Sequence, residues 1–219
     1  MFQSFPSVAA PPFRLSGVVH GTLLNDPAVL AALGDAVDQP PYKAAPKAPV
    51  LYLKPRNTLA ASGSLLASEG LEFELGAALG LVVGRSICHA DEASALQCLA
   101  GVVLMADLCL PHNTFYRPSV RLRARDGSCV IGPRVATDRR DPDALALHLR
   151  IDGETVQRIS TAGRVRGAAK LLADVSEFMT LRPGDILMTG VAAGAPRVRA
   201  GQRFEIEADG LGCLTGALA

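Results

Sequence analysis

The 219-residue chain contains no tryptophan and few aromatics (5%). It has no excess of either charge: formal net charge is +1, from 22 Lys and Arg against 21 Asp and Glu. A chain with so little net field is not drawn to nucleic acid or an anionic bilayer. No apolar run is long enough to span a membrane. The first residues lack the basic start and apolar core of a signal peptide. Cys88, Cys98, Cys109, Cys129 and Cys213 are odd in number and contain no Cys-x-x-Cys pair, which argues against a disulfide framework or a zinc knuckle. Reduced, interior thiols in a cytoplasmic protein are expected, and none is expected to be catalytic.

What is present is a large aliphatic fraction: 49% of residues are hydrophobic, enough for a sizeable core. Residues 1–16 are rich in Pro, Ser and Ala and read as a leader; 17–219 read as one domain. Strands are expected near Ser16–Leu24, Val50–Leu53, Ala78–Val83 and Val102–Ala106. A hairpin is expected around Asp152-Gly153, and late strands over Asp185–Thr189 and Arg203–Ala208. Helical spacing appears over Pro27–Val37, Asp91–Ala100 and Ala168–Met179. Many short strands with a few short helices predict a β-rich α+β domain, not a doubly wound sheet.

The segment from Asp107 to Pro133 carries the most chemical information. A carboxylate ends an apolar run, Tyr116 and Arg117 follow, and Arg121, Arg123 and Arg125 alternate. Read as a strand, that alternation puts the three arginines on one face. Guanidiniums so placed repel one another unless anions lie among them. They point to a ligand with several carboxylates, to buried acidic partners, or to a plain solvated edge strand.

Several blocks resemble the fumarylacetoacetate hydrolase family: Gly21-Thr-Leu-Leu-Asn25, Pro41-Tyr42-Lys43, Leu53-Lys54-Pro55-Arg56-Asn57-Thr58, Phe115-Tyr116-Arg117-Pro118, Arg125-Asp126-Gly127 and Pro183-Gly184-Asp185 to Thr189-Gly190. Within that family they are most similar to one half or subunit of the isomerase/decarboxylases of 4-hydroxyphenylacetate (homoprotocatechuate) catabolism. The resemblance implies a mixed β-roll/β-sandwich of the family's C-terminal-domain type. It also implies a site for Mg²⁺ (or Mn²⁺) on a Glu-x-Glu pair plus a later Asp, because a hard cation prefers oxygen ligands.

On that basis Asp107, Tyr116 and Arg123 are expected to be catalytic. Asn25, Lys54, Arg117, Arg121, Asp126 and Thr189 are expected to bind substrate, and Asp107, Glu72 and Glu74 to bind metal. The Glu pair admits two registers. Gly80 lies six residues after Glu74, as in the family, whereas the spacing to the Asp91–Ala100 helix fits Gly84 and places Gly76 and Ala78 in the ligand columns. Only the second needs no insertion within the strand. Arg123 replaces a usual Lys, and Val191 a usual Thr.

The implied activity is decarboxylation and/or isomerisation of a small acidic 2-oxo acid of the 5-carboxymethyl-2-oxo-hex-3-enedioate type. The alternatives are a subunit with a partly dismantled site that joins a complete sister subunit, and an acylpyruvate hydrolase. A homo-oligomer or a hetero-oligomer with a sister subunit is expected.

Overall fold

The computed structural model describes residues 17–112, 114–116, 119–133 and 141–219. The Pro/Ser/Ala-rich leader, 1–16, and Arg117 fall outside these residues.

Two sheets make up the fold. The first has eight strands: β1 (Val19–Leu23), β2 (Val50–Lys54), β3 (Leu59–Ala61), β5 (Phe73–Val83), β6 (Leu99–Cys109), β7 (Cys129–Ile131), β10 (Ile186–Met188) and β11 (Arg197–Val198). Their order is β2-β1-β10-β5-β6-β7-β3, with β11 pairing to β5. The second has five strands: β4 (Ser64–Leu66), β8 (Ala146–Ile151), β9 (Glu154–Ser160), β12 (Arg203–Ala208) and β13 (Gly212–Leu218), in the order β4-β13-β12-β8-β9. Four short helices are described: α1 (Pro27–Ala31), α2 (Glu92–Gln97), α3 (Val120–Arg123) and α4 (Ala168–Ser176). This is the expected β-rich α+β class.

One topological fact positions the site. β2 and β3 stand at opposite ends of the first sheet, yet only the short turn Pro55–Thr58 separates them in the chain. A link that short cannot cross a flat sheet of seven strands spaced about 4.8 Å apart, so the sheet must curl back on itself. Its outer face packs Leu75, Leu79, Leu104 and Leu108 against Phe204, Ile206 and Leu214 of the second sheet and Leu171 and Val175 of α4. Its inner face holds a separate cluster that includes Val19, Tyr52, Ala78, Met105, Cys129 and Met188.

Local chemistry sets the element boundaries. The Asp152-Gly153 turn joins β8 to β9 with positive φ at both residues (52° and 86°), as a two-residue hairpin requires. Asp91 caps α2 by accepting from Ser94 N at 2.7 Å. The helical spacing over Pro27–Val37 yields α1 and then a 3₁₀ turn, Gly34–Asp38, because Gly34 takes φ 49° and interrupts the helix. α4 stops at Ser176, three residues short of the expected end, and Phe178 is exposed.

One expectation is overturned. Residues 120–123 form the short helix α3, where Ser119 O accepts from Leu122 N and Arg123 N, so the three arginines do not share a strand face. A helix turns about 100° per residue and disperses like charges that a strand would align. Arg121 is exposed, Arg123 is buried, and Arg125 pairs with Glu69. The thiols are also less uniform than expected: Cys109 and Cys129 are buried, while Cys88 and Cys213 are exposed.

Candidate functional site

Asp107 lies two residues inside the end of β6, on the inner face of the curl, and is buried. Its carboxylate is enclosed by protein cations and a phenol. Lys54 Nζ lies 2.5 Å from Oδ1, Arg123 Nη1 lies 3.5 Å from Oδ2, and the Tyr52 hydroxyl donates to Oδ2. Arg123 also stacks over the Tyr52 ring, its Cζ 4.5 Å from the centroid. Burial first, and the Asp107 charge second, hold the Tyr52 phenol well above its ordinary pKa, so it remains a donor.

Lys54 closes the curl. It comes from the β2 end of the sheet and reaches Leu108 O (3.1 Å), Arg123 O (2.8 Å), Ser128 O (3.3 Å) and Ser128 Oγ (3.3 Å) around the other end. Its ammonium has three hydrogens and five oxygen neighbours, Asp107 included. Gly21, paired with Tyr52 across β1 and β2, makes room for the phenol: a Cβ there would lie 2.0 Å from the Tyr52 ring.

The other expected site residues are distributed unevenly. Asn25 is spent on the backbone: Nδ2 donates to Thr189 O (2.8 Å) and Arg166 O (3.0 Å), and Oδ1 accepts from Arg166 N (2.8 Å). Asp126 accepts from Asn57 Nδ2 at 2.6 Å in an exposed turn. Thr189 is buried, with no hydrogen-bond partner on its Oγ1 among the described residues. Tyr116 stands edge-on to Tyr42, ring centroids 6.2 Å apart, and Arg121 faces solvent.

The two glutamates part company. Glu72 is exposed and pairs with Arg197 at 2.9 Å, so it does not join Asp107. Glu74 stands opposite Cys109 in the β5–β6 register, with Oε2 3.8 Å from Cys109 Sγ. The residue opposite Asp107 is Gly76, followed one pleat on by Ala78 opposite Met105. Val191 fills the space beside Gly76: a Cβ on the glycine would lie 2.5 Å from Val191 Cγ2.

Three neighbours were not singled out from the sequence. Tyr52 sits in an unremarkable apolar strand, and only its pairing to Gly21 exposes the role. His112 follows β6 in an irregular segment, with Nδ1 2.9 Å from Leu110 O and Nε2 2.9 Å from Arg123 Nη2. A carbonyl can only accept, so Nδ1 carries the hydrogen and Nε2 accepts from Arg123. Cys109, expected to be a plain interior thiol, has ligand atoms of both Glu74 and His112 within 4.8 Å. Burial, then Asp107, pushes its thiol up to about 12, so the free thiol is not a nucleophile.

The family's Mg²⁺ site can be tested against these residues. Such an ion wants several oxygens in near-octahedral geometry. Asp107 supplies a carboxylate, but its Oδ1 already faces an ammonium at 2.5 Å and its Oδ2 a guanidinium and a phenol. The facing column offers Gly76 and Ala78 in place of carboxylates. The residues around Asp107 do not fit a hard divalent cation.

Similarity to known proteins agrees with this architecture. The 4-hydroxyphenylacetate degradation bifunctional isomerase/decarboxylase of Escherichia coli is 36% identical over 197 residues, covering 90% of this chain and 46% of that protein. The chain therefore spans about half the length of the curated relatives it matches. Fumarylpyruvate hydrolase from Pseudomonas aeruginosa, solved with Mn²⁺ and pyruvate, superposes with a TM-score of 0.79 at 25% identity, covering 92% of this chain and 89% of that one. The 5-carboxymethyl-2-hydroxymuconate delta-isomerase from Mycobacterium smegmatis has the same fold, with a TM-score of 0.77 at 24% identity over 92% of this chain and 76% of that one. No helix among the described residues is long and apolar enough to cross a membrane. Residues 18–219 match the model of the fumarylacetoacetate (FAA) hydrolase C-terminal domain, and the chain belongs to the fumarylacetoacetate hydrolase family.

Proposed function

We propose that the chain is the isomerase-type half of a two-part isomerase/decarboxylase of 4-hydroxyphenylacetate catabolism. It relocates a double bond in a small acidic 2-oxo polycarboxylate of the 5-carboxymethyl-2-oxo-hex-3-enedioate type, in the cytoplasm. It does so without Mg²⁺ or Mn²⁺ at Asp107. The observation that carries this reading is the Lys54–Asp107–Arg123 ion cluster facing Gly76. Decarboxylation through a metal-bound enolate needs a Lewis acid, and here the aspartate that would help to hold it is already compensated.

Isomerisation conserves all atoms. One carbon loses a proton, the enolate charge is delocalised over the 2-oxo unit, and a different carbon regains the proton. The chain has to supply fixed positive charge near that enolate and grip the remote carboxylates. Arg123 is the leading candidate: Asp107 holds its Nη1, and its Nε has no hydrogen-bond partner among the described residues. Arg117 is the candidate for the remote carboxylates, and Tyr116 supplies or removes a proton. Lys54, Asn25 and Asp126 act as scaffold, since their polar atoms already bond within the protein.

The test is turnover of the ring-fission tricarboxylate by chelator-treated protein, followed by loss of conjugated absorbance and by CO₂ release. The reading expects isomerisation at one rate with and without added Mg²⁺, and no CO₂. A rate raised tenfold or more by Mg²⁺, or CO₂ as a product, would count against it. Matching only 46% of the E. coli relative favours a second reading, a subunit that works only beside a complete sister. That reading predicts no turnover alone and recovery on mixing with the sister subunit.

A further inference from the structure

One cross-strand pair away from Asp107, towards the open end of the β5–β6 ladder, the chemistry of the site changes. Glu74 and Cys109 face each other in register, and His112 follows from the segment after β6. We propose that Glu74, Cys109 and His112 form a three-ligand site for a borderline transition cation of the Zn²⁺ or Co²⁺ class. This goes beyond the proposed isomerase reading and does not depend on it.

The donor set selects the ion. One thiolate sulfur, one imidazole nitrogen and one carboxylate oxygen suit Zn²⁺ or Co²⁺ and are poor ligands for Mg²⁺. Three protein ligands leave a fourth tetrahedral position for water or a ligand oxygen. Glu74 and His112 are half-buried, which leaves a way in, while Cys109 is buried.

The geometry is close to what the ion needs. Tetrahedral coordination at ordinary Zn–S and Zn–N lengths places ligand atoms about 3.5 Å apart. Cys109 Sγ is already 3.8 Å from Glu74 Oε2, and all three ligand atoms lie within 4.8 Å of one another. A small rotation of the half-buried imidazole closes the remainder. His112 gives up one present partner on binding, either the Leu110 carbonyl or Arg123.

The electrostatic surroundings accept a dication. Lys54 and Arg123 are the cations acting on Cys109, and Asp107 and Glu74 are the anions. Once the thiol ionises, three formal negative charges face two positive ones. Burial holds the thiol protonated until a metal arrives, and a coordinating metal removes that proton outright.

The experiment is an anaerobic Co²⁺ titration of the reduced, chelator-stripped full chain, read by absorbance. The expected result is one Co²⁺ per chain, with a near-ultraviolet thiolate-to-cobalt band and visible tetrahedral bands, both erased by Zn²⁺. Cys109→Ser should remove the near-ultraviolet band. Glu74→Gln and His112→Gln, at half-buried positions that tolerate change, should each weaken binding by roughly tenfold or more. Should Cys109→Ser fail to fold by circular dichroism, those two variants decide the matter. Cys88→Ser controls for the exposed Cys88-His89 pair and should change nothing. Absence of a thiolate band, its survival in folded Cys109→Ser, undiminished binding in both Glu74→Gln and His112→Gln, or its loss in Cys88→Ser would overturn the assignment.

Discussion

Replacing Lys54 with Met tests the ion cluster at its centre. Methionine keeps most of the aliphatic volume of the fully buried side chain and deletes the ammonium. Among the described residues Asp107 then retains only the long Arg123 contact of 3.5 Å and the Tyr52 hydroxyl, while Leu108 O and Arg123 O lose a donor. Breaking a buried ion pair from one side costs about 3–5 kcal/mol, because it leaves a desolvated charge poorly compensated. For a chain of this length that corresponds to about 6–20 °C in Tm. Urea unfolding of wild type, Lys54→Met, Asp107→Asn and the double variant gives the coupling directly. The double variant should be more stable than Lys54→Met alone, since neutralising Asp107 removes the stranded charge. A loss below about 1 kcal/mol in Lys54→Met, or strictly additive single losses, would refute the cluster.

Three further outcomes follow from the same geometry. Cys129 is pushed up from 9.0 to about 12 by burial. Its folded state therefore keeps a proton that the unfolded chain loses: this stability is full below pH 9 and drains away as pH rises towards 12, at about 1.4 kcal/mol per unit. Urea midpoints between pH 8 and 10.5 should fall, and should fall less steeply in Cys129→Ala. Gly76→Ala should cost about 1–3 kcal/mol by overpacking against Val191. Val191→Ala in the same chain should restore most of that loss, read as Tm. Asn25→Ala strands Thr189 O, Arg166 O and Arg166 N and should cost about 2–3 kcal/mol in urea unfolding.

Much of the fold is legible in the chain because local chemistry and tertiary packing agree there. The Asp152-Gly153 hairpin, the Asp91 cap of α2 and the aliphatic face of α4 can all be read without coordinates. β13 is not, because Gly212 and Gly216 dilute its signal; Gly216 is glycine because a Cβ would lie 2.3 Å from Phe204 Cζ. The arginine segment misleads for a different reason. Alternation is compatible with a strand, but four residues are too few to exclude one helical turn. Asp107 and Arg123 stand out in the chain as candidates, whereas Tyr52 does not: its place beside Asp107 comes from the curl that brings β2 round to β6. The same curl surrounds the Lys54 ammonium with oxygens of the protein itself. Its acceptors lie on Leu108, Arg123 and Ser128, 54 to 74 residues away in the chain.

Protein cations, and not a metal ion, compensate Asp107. Calorimetric titration of the chelator-stripped full chain with Mg²⁺ tests it most directly. No saturable heat is expected below millimolar Mg²⁺, in wild type and in Asp107→Ala alike. Stoichiometric micromolar binding in wild type that disappears in Asp107→Ala would contradict it.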